Sequence, residues 1–275
     1  MIVPVEAFIA FLFGLLIGSF LNVCIFRMPR DISLIDPPRS HCPNCDAQIR
    51  WYDNIPVLSF LMLRGKCRDC KAPISLRYPL VELLTGALFS GCVLAFGLHA
   101  VSLKYILFGS SMIALIFADF EERILPDEFT IGGTVAGVIM SWFVLLPPGL
   151  SWLFIDAQRR QWMSLAESLL GSVVCAGVLW IVGTLYYKVR HKEGLGFGDV
   201  KMVMMIGAFL GLQFTLLTVI LGSVIGSVVG LLYIYTTGKN ASTYELPFGS
   251  FLGLAATGVA AFGEPVLRMY LRLGN

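Results

Sequence analysis

The chain has 275 residues, 57% of them hydrophobic and only 14% charged, and its 20 Lys+Arg nearly balance 18 Asp+Glu for a net charge of +2. Soluble domains carry about a quarter of their residues charged. The composition therefore excludes an ordinary cytosolic enzyme, a disordered chain and a nucleic-acid binder, and leaves an all-α polytopic membrane protein.

A span needs about 20 apolar residues. The first, Ala7–Phe26, has no Lys or Arg before Arg27 and lacks the basic start and cleavage site of a signal peptide, so it reads as a retained anchor. Further apolar runs lie at Leu80–Leu98, Val101–Ala118, Phe129–Leu146 and Leu165–Tyr187. Between Lys201 and Lys239 there are 37 residues without a formal charge, too many for one helix and few for two, so a break is expected near Gly211–Gln213. Leu246–Phe262 completes a count of about eight transmembrane helices. Fifteen of the 20 Lys+Arg then fall on one side, nine of them in 27–78, which puts that loop in the cytoplasm and both termini outside. The domain reading is a first helix (1–26), a small cytoplasmic zinc-binding loop domain (27–78) and a membrane-embedded region (79–275).

The loop carries Cys42-Pro-Asn-Cys45 and Cys67-Arg-Asp-Cys70, with 21 residues between the pairs. Two such turns supply the four thiolates that zinc takes tetrahedrally, and a loop too small for a core gains from a metal staple. Cytoplasmic placement argues against disulfides. His41 abuts the first pair as an alternative ligand or a solvated loop residue, while Cys24, Cys92 and Cys175 fall in apolar spans and read as packing residues.

Acids beside membrane spans are expensive and read first as functional. Asp119 closes the third span and Asp199 opens the sixth, both on the inferred cytoplasmic side. Two carboxylates in a poorly solvated site cannot both ionise easily, so one can hold a proton while the other activates water, as in an aspartic-protease dyad. Glycines before Asp199, among them Gly196 and Gly198, leave room for an extended substrate. The plainer alternatives are helix-end residues facing headgroups, with Asp199 as an N-cap. Asp127, after Pro126, reads as a helix cap for the fourth span or a site residue. Glu82 either packs against a cation such as Arg77 or lines the site.

These residues resemble a known family. Gly196-Phe197-Gly198-Asp199 is similar to the Gly-x-Gly-Asp signature of intramembrane aspartyl proteases, and Asp119…Leu125-Pro126-Asp127 looks like the first-aspartate motif of type IV prepilin peptidases. Gly18-Ser19-Phe20-Leu21-Asn22-Val23, the two cysteine pairs, Trp51 to Ser59, Arg64-Gly65-Lys66-Cys67 and Arg77 to Glu82 resemble that family's N-terminal region in order. The resemblance implies an enzyme of the inner membrane that cuts the basic leader from prepilins or type II secretion pseudopilins at the cytoplasmic face. It would then methylate the new N-terminus with S-adenosylmethionine. It carries the catalytic role to Asp119 and Asp199, and zinc ligation to Cys42, Cys45, Cys67 and Cys70. No glycine-rich cofactor turn marks the methyl-donor site; Gly65 and Lys66 are the candidates.

Two other classes fit parts of the sequence. A membrane thiol oxidoreductase would use the Cys-x-x-Cys pairs, and an ion-coupled transporter would use Asp119 and Asp199. Three histidines without a His-Glu-x-x-His pattern give a membrane zinc hydrolase little support.

Overall fold

The computed structural model describes residues 2–36, 40–156, 158–191, 194–237 and 247–273, side chains of 2–3 and from 264 onward excepted. Arg39, Lys192, Lys239 and Leu246, which entered the charge count and the last expected span, lie outside the described residues. Every regular element described is helical: α1 Ile2–Arg27, α2 Leu58–Met62, α3 Arg77–Phe96, α4 Ala100–Glu122, α5 Asp127–Phe143, α6 Arg160–Arg190, α7 Phe197–Thr237 and α8 Phe248–Leu273. Short 3-10 turns occupy Met28–Arg30, Trp51–Asn54 and Leu150–Leu153.

Among the described residues, five helical segments are long and apolar enough to cross a bilayer: Pro4–Arg30, Arg77–Phe96, Ala100–Glu122, Arg160–Arg190 and Phe197–Thr236. Phe248–Gly263 is apolar but shorter, and α5 has 17 residues. Among the described residues the count of about eight is therefore not confirmed. The expected sixth and seventh spans are joined in α7, whose backbone leaves the helical region at Gly211 (φ 77°, ψ 176°), a conformation essentially confined to glycine. The break falls at the first residue of the interval where the uncharged stretch was expected to divide.

The chain forms two compact units, Met1–Ala114 and Leu115–Asn275. In the first, α1 and α3 run antiparallel with their backbones in close approach. A Cβ on Gly14 would lie 2.8 Å from the Gly86 Cα, and one on Gly18 only 2.7 Å from the Glu82 Cα. One turn further along, Asn22 Nδ2 donates to the Tyr78 carbonyl at 3.0 Å. Small residues allow this approach in a medium where no hydrophobic effect drives helices together. The outer face of α1 presents Phe8, Ile9, Phe13 and Leu16, all more than half exposed, as a lipid-facing surface requires.

In the second unit the part of α7 before Gly211 is the core. Met202, Val203, Met205, Ile206 and Phe209 are fully buried there, whereas Leu231, Leu232 and Tyr235 beyond the break are exposed. Helix α6 crosses α7 backbone to backbone: a Cβ on Gly171 would lie 2.7 Å from the Gly211 carbonyl carbon, and Ser168 Oγ donates to the Ala208 carbonyl at 2.8 Å. Glu167, fully buried on the same helix, accepts from the Leu150 amide at 3.1 Å and the Ser151 amide at 3.3 Å, which ties the α5–α6 connection to α6.

Candidate active site and metal centre

Asp119 lies in the last turn of α4, and Asp199 is the third residue of α7, with its amide bonded to the Gly196 carbonyl at 3.1 Å. Both are buried, at 5% and 9% exposure, and Asp199 feels the charge of Asp119. Leu125 sits between the two surroundings. A Cβ on Gly249 would meet both the Asp119 Cγ and the Leu125 Cδ1 at 3.1 Å, while one on Gly198 would meet the Leu125 Cβ at 3.2 Å. Gly196 keeps the flank of Asp199 open, since a Cβ there would stand 3.3 Å from its Oδ2. Asp199 is thus inside the first turn of α7 rather than its cap.

Helix α8 supplies a residue that the sequence did not single out. The Ser250 amide donates to Asp119 Oδ2 at 2.6 Å, and the Ser250 hydroxyl lies 2.8 Å from the same oxygen and 3.1 Å from the Ile116 carbonyl. One hydroxyl hydrogen serves one acceptor at a time. It can turn toward Asp119 when the carboxylate is charged and toward Ile116 when Asp119 carries a proton. Ser250 therefore satisfies both protonation states of Asp119. A serine inside an apolar run gave no signal by itself; a polar side chain two residues into a helix that begins Phe-Gly-Ser was the available clue.

Asp127 is the first residue of α5 and not its cap. Pro126 holds the cap position without a side-chain bond, its fixed φ suiting the entry to the helix. The Asp127 carboxylate, 56% exposed, pairs with Lys201 of α7. Glu82 Oε2 accepts from the Val57 amide at 2.8 Å, and its carboxylate also bonds the Ser19 side chain.

The four cysteines form one cluster. The Sγ atoms of Cys42, Cys45, Cys67 and Cys70 all lie within 4.8 Å of one another, and Cys42 and Cys70 are 3.8 Å apart. A tetrahedron with metal–sulfur bonds of about 2.3 Å has an edge of about 3.8 Å, so the donor set fits one metal ion. The thiols share their protons unequally. The Ala72 amide, then the Asn44 side chain, bring Cys70 down to about 6. The Ala47 amide favours the Cys45 thiolate, but desolvation and the neighbouring thiols outweigh it and Cys45 is pushed up to about 12. A cation among them would remove this competition. His41 is outside the set and bridges to Gln48 across the turn.

The two cysteine turns are copies of one another. Cys42 N bonds Ala47 O and Ile49 N bonds Ser40 O at 2.9 Å each; Cys67 N bonds Ala72 O and Ile74 N bonds Gly65 O at 2.8 Å each. Asp46 and Lys71 take the same left-handed conformation (φ 58° and 62°). The signal was present as Cys-x-x-Cys-x-Ala-x-Ile, repeated 25 residues apart. Gly65, itself at φ 66°, and Lys66, bridged to Pro73, are parts of the second turn.

Comparison with known proteins then places the chain. The Bacterial Peptidase A24 N-terminal domain matches residues 12–96 and the Type IV leader peptidase family matches 106–231. A protein of Myxococcus xanthus is 39% identical over 98% of this chain and 76% of its own length. The chain belongs to the type IV leader peptidase family. Family members in Stutzerimonas stutzeri (36% identical, 97% of this chain and 94% of theirs) and Pseudomonas aeruginosa (34%, 96% and 93%) carry the same name as the Myxococcus protein, prepilin leader peptidase/N-methyltransferase. No solved structure matches the chain. The multi-pass helical architecture and the four-cysteine cluster after the first helix agree with this membership.

Proposed function

We propose that this protein is a bifunctional prepilin processing enzyme, an intramembrane aspartic endopeptidase and an N-methyltransferase acting on type IV prepilins or type II secretion pseudopilins. The observation that carries the peptidase reading is the burial of two carboxylates, Asp119 and Asp199, 80 residues apart in sequence, in surroundings that share Leu125. Asp119 and Asp199 share one proton: one polarises the scissile carbonyl through its hydrogen, and the other takes a proton from the attacking water. Ser250 holds Asp119 through either state. Gly196 and Gly198 leave the approach to Asp199 open to an extended chain, and the Asp127–Lys201 pair ties the starts of α5 and α7 beside it.

The four cysteines hold a structural zinc ion that fixes the 27–78 loop, and residues 79–275 form the peptidase domain. S-adenosylmethionine supplies the methyl group when bound. With eight spans, the Lys/Arg distribution favours the cysteine loop and both aspartates at the cytoplasmic face of the inner membrane and both termini outside. A prepilin enters with its basic leader in the cytoplasm and its apolar helix in the bilayer, so the bond to be cut lies at that boundary.

The test is incubation of the purified protein with a prepilin, with and without S-adenosylmethionine, read by mass. Leader loss in both arms and a gain of one methyl only with the cofactor is the expected result. An unchanged substrate mass contradicts the reading, and leader loss that survives in a protein lacking both aspartates would overturn the dyad assignment.

A further inference from the structure

The leader peptidase match begins at residue 106, so the second activity in the relatives' name has 12–96 as its natural place. Methyl transfer to an amine needs a group that accepts a proton from the ammonium form, which predominates near neutral pH. The acids in that stretch are Asp31, Asp36, Asp46, Asp53, Asp69 and Glu82. Arg68 clasps Asp53 through two bonds of 2.8 and 2.6 Å, and Asp31, Asp36, Asp46 and Asp69 stand exposed on the loop. Glu82 alone is buried, at 7% exposure, and it sits on the α1–α3 seam.

The seam is built around it. Gly18 lets α1 lie directly on the Glu82 backbone, and Ser19 bonds its carboxylate. From the loop, Val57 donates its amide to Oε2 while adopting φ 60°, ψ −47°, a conformation rare for a β-branched residue. The Leu58 amide bonds the Pro56 carbonyl at 2.5 Å across this tight γ-turn. One turn along the seam, Asn22 is 2% exposed; its Nδ2 is used by the Tyr78 carbonyl, but its Oδ1 is buried without a hydrogen-bond partner. A buried carboxylate and an unsatisfied carbonyl oxygen within one helical turn make this stretch of the seam rich in acceptors. Its complement is a compact donor with positive charge, which a primary ammonium is. Glu82 is the sixth residue of α3, so it lies about 7 Å inside the helix start, a depth suited to the first residue of an apolar helix lying in the bilayer.

We propose that Glu82, with Asn22 Oδ1, receives the α-ammonium group of the processed pilin and acts as the proton acceptor for its methylation. This inference rests on the bifunctional reading above. The ammonium passes one proton to the Glu82 carboxylate, and the freed nitrogen lone pair attacks the methyl carbon of the sulfonium donor. The new N–C bond forms as the S–CH3 bond breaks, its electron pair staying on sulfur to give a neutral thioether. The product is a methylammonium, and the Glu82 proton leaves to solvent.

Glu82→Gln tests it, because the amide keeps a carbonyl oxygen for Val57 and Ser19 while losing charge and basicity. The substrate is a synthetic peptide of the mature pilin N-terminus with a free α-amine, so that cleavage is bypassed, and the N-acetylated peptide is the binding control. The zinc-loaded full-length protein should bind the free amine at least tenfold more tightly than the acetylated peptide, and E82Q should bind both alike. E82Q should retain zinc and S-adenosylhomocysteine binding, methylate at least a hundredfold more slowly at pH 7, and regain rate as pH rises toward 9, where the amine is neutral unaided. Asn22→Leu should weaken free-amine binding without altering the pH profile. Wild-type methylation or wild-type peptide discrimination in E82Q overturns the proposal, as does loss of zinc or S-adenosylhomocysteine binding, which would make Glu82 a clip for the loop. No methyl transfer by the wild type would instead overturn the bifunctional reading, and this proposal with it.

Discussion

Ser250 and Asp119 are joined by two hydrogen bonds to one oxygen: the serine amide at 2.6 Å and its hydroxyl at 2.8 Å both reach Oδ2. The residues are 131 positions apart, so the start of α8 is pinned to the end of α4 at the proposed catalytic carboxylate. Ser250→Ala removes the switchable hydroxyl and leaves the amide. A hydrogen bond to a charged group is worth about 1.5–3 kcal/mol, so leader cleavage should slow roughly ten- to hundredfold, with the protein still folded and inserted. An unchanged kcat would show that the hydroxyl takes no part in handling the Asp119 proton.

The Asp127–Lys201 pair should matter far less. An exposed ion pair contributes about 1 kcal/mol or less, and Asp127 is more than half exposed. Asp127→Asn and Lys201→Gln, alone and together, should each reduce cleavage by less than about tenfold. The double variant should lose no more than the worse single one if the two residues act as a pair. Abolished cleavage in Asp127→Asn alone would give that carboxylate a chemical role.

The helix break at Gly211 makes a prediction about stability. Its φ of 77° with ψ near 180° is available to glycine and strained for any other residue. Gly211→Ala should cost about 1–3 kcal/mol, read as a lower melting temperature in detergent, and also presses a Cβ within 3.2 Å of the Glu167 Cγ. A variant as stable as the wild type would mean that α7 can run unbroken.

Much of this architecture could be read in advance because charge is scarce. In a chain with 14% charged residues, an acid at the end of an apolar run stands out, which is how Asp119 and Asp199 were found. The division of α7 followed from length alone, and the metal cluster from cysteine spacing. What was not legible depends on tertiary neighbours. Ser250 looks like any small residue in a membrane helix until α8 is laid against α4. Glu82 was expected either to pack against a cation such as Arg77 or to line the site; the backbone amide and serine hydroxyl that reach it are brought in by the loop and by α1. Asp127 lost the cap position because Pro126, with its fixed φ, takes it. The count of about eight spans is not confirmed: among the described residues five helical segments are long and apolar enough to cross, α7 being divided at Gly211 and α5 having 17 residues.

Metal content tests the cysteine cluster. Purified protein should carry close to one zinc ion, and Cys42→Ser or Cys67→Ser should abolish it and expose 27–78 to protease. Folding of so small a loop is coupled to metal binding, so chelation should have the same effect, reversed by adding zinc. A protease-resistant loop after complete metal removal would contradict the structural role.

The central claim is that Asp119 and Asp199 together cut the leader. Leader removal from a purified prepilin by wild type, Asp119→Asn and Asp199→Asn, in the same detergent and at matched protein levels, tests it most directly. Each substitution keeps the side-chain shape while preventing the shared-proton state, and each should abolish cleavage with the protein still inserted and zinc-loaded. Full leader removal by either variant would contradict the account.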